Sequence, residues 1–279
     1  MILTGEARLA GVLGWPVAHS RSPRLHGYWI DRLGLDAAYL PLAVAPEHLA
    51  QAVRALPRLG FRGANLTIPH KEAVLPLLDA IEPLAARIGA VNTLVIDEDG
   101  RITGRNTDAF GFLENLRRNA PSWRPAAGPA MVIGAGGAAR AVIAALTEAG
   151  VPEIRLVNRS RVRAEQLAAT LGGPIHVAEW ADRADQLDGA ALLVNTTSLG
   201  MHGQPPLDLD LAALPVTAIV TDIVYVPLET PLLAAARRRG HPVVDGLGML
   251  LWQAVPGFEA WFGARPEVDE ALRAFVMAG

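Results

Sequence analysis

The sequence predicts an α/β protein of two domains, and three observations carry that expectation. Short apolar runs alternate with helical stretches along almost all of the 279 residues. A Pro/Gly/Ala-rich passage at 119–130 interrupts the alternation and reads as a linker. Beyond it, an apolar strand runs straight into a glycine-rich turn and a helix. With 51% hydrophobic residues, a chain of this length can bury the cores of two ordinary domains.

The elements follow in order. Residues 9–14, 37–44, 61–68 and 90–96 are short apolar runs and read as strands. Residues 22–34 and 45–60 read as helices. The first has Ser22 as N-cap, Pro23 at the first helical position and Gly34 as the stop. The tetrapeptide "DEDG" (97–100) reads as a tight turn between paired strands. After the linker the order is "MVIGAGG", helix, "IRLVNRS", helix, "ALLVNTTSLG", "AIVTDIVY", helix, "HPVVDG". Strands alternating with helices imply a parallel sheet covered on both faces.

Composition removes several function classes. The net charge of −3 offers no basic field for nucleic acid, and Arg237-Arg238-Arg239 sits where it complements a helix end. There are no cysteines, which excludes disulfides, thiolate metal sites and a cysteine nucleophile. The seven histidines lack ligand spacing, so no metal is expected. The first residues do not read as a signal peptide, and no apolar run reaches the ~18 residues of a membrane span. A cytoplasmic enzyme is the expectation, with a small-molecule partner and no membrane or nucleic-acid partner.

The glycine turn is "MVIGAGGAAR" (131–140), in which Gly134, Gly136 and Ala139 match the dinucleotide fingerprint. Glycines permit the tight turn and close approach of backbone to a pyrophosphate, and the helix start presents free N–H groups to its charge. The second domain is therefore expected to be Rossmann-like. About 20 residues on, where an NAD enzyme carries Asp or Glu for the ribose hydroxyls, the chain has Asn158-Arg159-Ser160 and then Arg163. No carboxylate there repels a 2′-phosphate, and a guanidinium can bind one, so NADP is favoured over NAD.

The first half carries four polar clusters at strand ends or turns: Ser20-Arg21-Ser22, Asn65-x-Thr67-x-Pro69-x-Lys71, Asn92-Thr93 and Asn106-Thr107-Asp108. Taken singly, each reads as a cap or a closed turn. Four together read as the lining of one polar pocket for a hydroxylated ligand. Of the 25 cationic residues, 24 are arginine, and Lys71 is the single lysine. Arginine stays protonated at working pH, whereas a lysine ammonium can release and regain a proton. A drift toward arginine has spared the one position where proton transfer needs lysine.

The motifs "GWPVAHSRSPRLH", "NLTIPHK", "GAVNT", "GRNTDAFGF", "GAGGAAR", "NRS", "NTTSLGM", "DIVYVPLETPLL" and "DGLGMLLWQA", in that order, closely resemble the shikimate dehydrogenase family over nearly the whole chain. Gly27 is a local departure, since Asn is expected after His26. The resemblance implies an N-terminal substrate domain (1–108), a Rossmann-like NADP domain (109–245) and C-terminal helices (246–279) returning to the first domain. It implies an active site in the cleft between domains and reversible hydride transfer between NADPH and the ring ketone of 3-dehydroshikimate, giving shikimate. By motif, Lys71 and Asp108 are the catalytic pair, with Lys71 donating a proton to the developing alkoxide. Ser20 and Ser22 hold the substrate carboxylate. Thr67, Asn92, Asp108 and Gln253 bind the hydroxyls or the carbonyl region, and Tyr225 also reaches the substrate. Gly134, Ala135, Gly136, Gly137, Ala138, Asn158, Arg159, Ser160 and Arg163 line the cofactor, with Thr196, Ile223, Gly246 and Met249 nearer the nicotinamide end.

Rival readings stay open at this level. A quinate/shikimate dehydrogenase shares the fold and the pair but tends to accept NAD. Methylenetetrahydrofolate dehydrogenase also joins a lysine-bearing domain to a Rossmann domain. A non-catalytic NADPH sensor would have no need of the lysine. Monomer and homodimer are equally compatible with the sequence.

Overall fold

The strand expected at 9–14 forms as β1 (Arg8–Gly14), with every residue from Ala10 onward buried. In the computed structural model, which describes residues 2–278, β1 is followed by α1 (Ser22–Arg32), β2 (Ala37–Ala43), α2 (Leu49–Ala55), β3 (Phe61–Leu66), α3 (His70–Ala73), β4 (Ala80–Ile81), α4 (Pro83–Ile88), β5 (Thr93–Ile96) and β6 (Ile102–Arg105). Then come α5 (Asp108–Asn119), β7 (Ala130–Ile133), α6 (Gly137–Glu148), β8 (Ile154–Val157), α7 (Arg161–Leu171), β9 (Ile175–Ala178), β10 (Leu192–Asn195), β11 (Ile219–Asp222), α8 (Pro231–Arg238), β12 (Val243–Val244), α9 (Leu247–Phe262) and α10 (Glu270–Met277).

The chain forms two compact units. One takes residues through Thr107 together with those from Leu251 onward; the other runs from Asp108 to Leu250, so the 119–130 passage read as a linker lies inside the second unit, with Ala120 and Trp123 buried. The second change falls inside α9, a continuous helix, so no loop marks it.

The first unit holds a six-stranded sheet in the order β2-β1-β3-β5-β6-β4. Strands β5 and β6 form an antiparallel hairpin across the 97–100 turn, and β5 also runs antiparallel to β3; the other pairs are parallel. Leu13, Leu66, Val91 and Leu94 lie in its core. The Trp261 indole N–H donates to the Leu94 carbonyl at 2.8 Å, which ties the end of α9 to this sheet. Gly63 faces that contact: a Cβ there would stand 2.1 Å from the Leu94 oxygen and 2.2 Å from Trp261 Nε1, with φ at +153°. Only glycine fits.

Two local expectations need correction. Ser22 does not cap α1; it is the first helical residue, and Arg21 at the cap position makes no side-chain cap. Ser20 takes up that task, its Oγ accepting from the Ser22 N–H at 3.3 Å. Residues 45–60 do not form one helix. Pro46 and Pro57 lack the N–H that a helix interior needs, so α2 keeps seven residues between the 3₁₀ turns Pro46–His48 and Pro57–Leu59.

The second unit holds an all-parallel sheet ordered β9-β8-β7-β10-β11-β12. Edge strand β9 is not marked by the sequence pattern, because "IHVA" is short and its apolar run is broken by His176. Numbered within the unit the order is 3-2-1-4-5-6, which reverses between β7 and β10. Ligands of such sheets bind at that switch point, outside the C-terminal strand ends.

Candidate active site

In the second unit, β7 ends at Ile133 and the chain turns through Gly134, Ala135 and Gly136 into α6, where Gly137 and Ala138 open the helix. Gly134 has φ +113°, and a Cβ there would lie 2.5 Å from Thr196 Oγ1, so both conformation and packing require glycine. Gly136 and Gly137 differ. Neither has a positive φ, and a Cβ on either meets nothing within 4 Å. Neither the fold's conformation nor its packing explains these two glycines. Close approach of a ligand to the backbone does, at the N-terminus of a twelve-residue helix.

Thr196 closes the other side of the switch point. Its backbone N–H and its Oγ1 both donate to the Ile133 carbonyl, at 2.8 and 2.7 Å. At the end of β8, Asn158 Nδ2 donates to the Ser160 carbonyl at 2.8 Å, and Ser160 caps α7 by accepting from the Arg163 N–H at 3.5 Å. Arg159 and Arg163 are exposed. Arg161 between them is held by Glu165 at 2.7 Å and Glu179 at 2.6 Å, which neutralises those carboxylates beside the turn. Gly246 packs on the backbone of Ile223, where a Cβ would lie 2.3 Å from the Ile223 oxygen. Met249 is buried on α9, and Tyr225 is half-buried just beyond β11.

In the first unit Asn65, Thr93, Thr107 and Gln253, from three of the clusters and from α9, are hydrogen-bonded around Asn92, which is 2% exposed. Its Nδ2 donates to Thr107 Oγ1 at 3.0 Å and to Gln253 Oε1 at 3.3 Å, and its Oδ1 accepts from the Thr107 N–H at 2.8 Å. Asn65 supports this from below. It donates to Thr93 Oγ1 at 3.0 Å and to the Asn92 carbonyl at 3.1 Å, and it accepts from the Tyr39 hydroxyl at 2.6 Å. Burial pushes the Tyr39 phenol well above its ordinary range, the Ser22 hydroxyl opposing in part. Thr67 is pinned by its N–H to the Leu13 carbonyl at 2.9 Å. Lys71 stands in the short α3, whose backbone is held where the Lys71 carbonyl accepts from the Val91 N–H at 2.8 Å. The preceding His70 ring bonds to the Val44 carbonyl at 2.8 Å.

The sequence-predicted residues thus fall into sets. Ser20, Ser22, Thr67, Lys71, Asn92 and Gln253 belong to the first unit, and Asn92 bonds directly to Gln253. Asp108 opens α5 in the second unit, directly after Thr107, and Tyr225 and the cofactor residues belong there too. Sequence reasoning gave no role to Asn65 beyond its cluster, and none to Asn195, Asp222 or Thr230. All four are buried polar residues; for Asn65, Asn195 and Asp222 the available signal is a polar side chain at the end of an apolar strand, and for Thr230 it is a threonine directly before a helix-opening proline.

A doubly wound sheet with an open glycine turn defines a dinucleotide-binding module, here joined to a second α/β module built around buried amides and hydroxyls. Comparison with known proteins gives the family. Three family models match: the shikimate dehydrogenase substrate binding domain over residues 12–94, shikimate / quinate 5-dehydrogenase over 122–200, and the shikimate 5′-dehydrogenase C-terminal domain over 246–274. The chain belongs to the shikimate dehydrogenase family. It is 70% identical to the shikimate dehydrogenase (NADP(+)) of Paramagnetospirillum magneticum, across 99% of this chain and 100% of that one. Among solved structures it resembles shikimate 5-dehydrogenase from Thermus thermophilus in complex with NADP(H) and shikimate, at 40% identity, TM-score 0.84 and 98% coverage of both chains. It also resembles quinate dehydrogenase from Corynebacterium glutamicum in complex with NAD, at 32% identity, TM-score 0.91 and coverage of 98% and 99%.

Proposed function

We propose that this chain is an NADP-dependent shikimate dehydrogenase that interconverts 3-dehydroshikimate and shikimate. One observation carries the reading furthest. A dinucleotide turn with open glycines and no carboxylate at Asn158-Arg159-Ser160 shares the chain with an amide-lined module that bears its single lysine. The near full-length identity to a relative named for this activity supports it.

The second unit fits a bound NADP(H). Gly134 to Ala138 would face the pyrophosphate with the N–H groups of α6, and Arg159 and Arg163 would meet the 2′-phosphate. Thr196, Ile223, Gly246 and Met249 would line the nicotinamide end. When bound, the cofactor supplies the hydride, while the protein supplies position and a proton.

The chain's own residues then divide the remaining work. Ser20 and Ser22 would hold the substrate carboxylate. Thr67, Asn92, Gln253 and Tyr225 would orient ring hydroxyls. Asn92 is itself held at both ends of its amide, so it is preorganised for that task. Lys71 would hold a proton against the substrate oxygen that becomes the alcohol, with Asp108 as its partner, and would take it back in oxidation.

The quinate dehydrogenase resemblance favours a second reading with broader substrate or NAD use; the end of β8 argues against NAD. The test is NADPH formation at 340 nm with shikimate and quinate, each against NADP and NAD. A strong kcat/KM preference for shikimate with NADP is expected. Comparable turnover of quinate or NAD assigns the second reading, and NADPH binding without turnover assigns a sensor.

A further inference from the structure

Asp222 ends β11 fully enclosed, with no exposed surface. Strand β11 lies beside β10 with Asn195 directly opposite Asp222. The carboxylate is ringed by donors. Oδ1 accepts from Asn195 Nδ2 and from the Val224 N–H, both at 3.0 Å, and Oδ2 accepts from Thr230 Oγ1 at 2.8 Å. Thr230, also fully enclosed, caps α8 by accepting from the Leu233 N–H at 3.3 Å.

Asn195 extends the system to the next turn. Its second Nδ2 proton reaches the Leu199 carbonyl at 3.1 Å, and its Oδ1 accepts from the Thr197 N–H at 3.1 Å and from Thr197 Oγ1 at 2.7 Å. Thr197 Oγ1 accepts in turn from the Leu199 N–H at 3.1 Å. Both protons and both lone pairs of the amide are used, which fixes its orientation. One carboxylate therefore binds two turns at adjacent strand ends, 195–199 and 222–230. Thr196 lies in the first, and Ile223 and Tyr225 in the second. Enclosing a carboxylate is costly, and burial pushes its pKa up to about 6 in spite of the three hydrogen bonds. An apolar side chain would avoid that cost but would leave Asn195, Val224 and Thr230 with unmet donors.

We propose that Asp222 is a positioning residue: with Asn195 and Thr230 it locks these two turns together and so sets where Thr196, Ile223 and Tyr225 stand. The use of those three residues rests on the dehydrogenase reading above; the locking itself does not.

The test joins amide hydrogen exchange to kinetics in the full chain. Thr230→Val removes the donor to Oδ2 and the cap of α8 at nearly constant volume, and Thr230→Ser keeps both; Asp222→Asn, made beside it, leaves the cap in place and so separates the two effects. In Thr230→Val, exchange at 196–200 and 223–230 should rise about tenfold or more while that of β7 and α6 stays unchanged. Thr230→Ser should restore it. The kcat should fall about tenfold, while the Kd for 2′-phospho-ADP-ribose, which lacks nicotinamide, stays within about twofold. Unchanged exchange at both turns overturns the proposal, as does loosening with kcat unaffected, or an equal loss of fragment binding. If Thr230→Val does not fold, Asp222→Asn, which keeps an acceptor at Oδ1, is read by the same criteria. A wild-type protein without turnover refutes the dehydrogenase reading, while the exchange data still decide the locking.

Discussion

His26 should make the first unit sensitive to acid, and replacing it by phenylalanine should remove that sensitivity. The ring has no exposed surface. It stacks on Tyr39 with centroids 4.0 Å apart and packs edge-on to Trp29 at 5.7 Å. Among the described residues neither of its nitrogens has a hydrogen-bond partner. Burial pushes its pKa from 6.5 to about 3, with the nearby Asn65 side chain opposing in part. The unfolded chain therefore takes up a proton near pH 6.5 that the folded chain refuses until about pH 3. Stability from this group is whole above pH 6.5 and is lost as pH falls toward 3. At about 1.4 kcal/mol per pKa unit, the loss is about 2 kcal/mol between pH 7 and 5 and about 4 kcal/mol between pH 7 and 3. Asp222 acts with the opposite sign: its raised pKa disfavours the charged form, so its contribution to stability falls as pH rises toward 6. The assay is urea unfolding of wild type and His26→Phe at pH 7 and pH 5, because the difference between the two proteins isolates His26. At pH 7 the variant should match wild type to within about 1 kcal/mol, since it fills the same aromatic box and removes two unmet nitrogens. At pH 5 it should be ahead by about 2 kcal/mol. Equal pH dependence in both proteins would refute the reasoning.

Three further outcomes are expected. Arg159→Ala should raise KM for NADP about tenfold or more and leave KM for NAD nearly unchanged, because it removes a guanidinium from the 2′-phosphate position; equal effects would remove that role. Gly137→Ala should keep or slightly raise the melting temperature, since its Cβ meets no atom within 4 Å, yet should weaken NADPH binding about tenfold by fluorescence titration. Gly246→Ala should lower the melting temperature, because its Cβ would fall 2.3 Å from the Ile223 oxygen.

Much of this was legible in the residues, for identifiable reasons. The second domain announced itself because parallel strands are continuous apolar runs, and because Gly134 to Ala139 stands between such a strand and a helix. The 97–100 hairpin was legible from its turn residues. The first sheet was harder to read: its mixed order depends on β5 inserting beside β3, and no local pattern specifies a partner strand. Proline chemistry cut the 45–60 helix, and Ser22 lies inside the helix instead of capping it, so the seryl oxygen at the start of α1 is that of Ser20, which accepts from the Ser22 N–H. The polar clusters were visible, but their wiring was not. That Asn65 underlies Asn92, and that Asp222 joins Asn195 to Thr230, are contacts across 27, 27 and 8 residues that only folding creates.

Proton transfer in the proposed reaction depends on the single lysine. The most direct measurement is kcat for shikimate oxidation by Lys71→Arg, beside its Kd for NADPH. Arginine keeps the charge but cannot exchange the proton, so kcat should fall by about a hundredfold or more while the Kd stays within about twofold. A kcat near that of wild type would contradict proton transfer by Lys71.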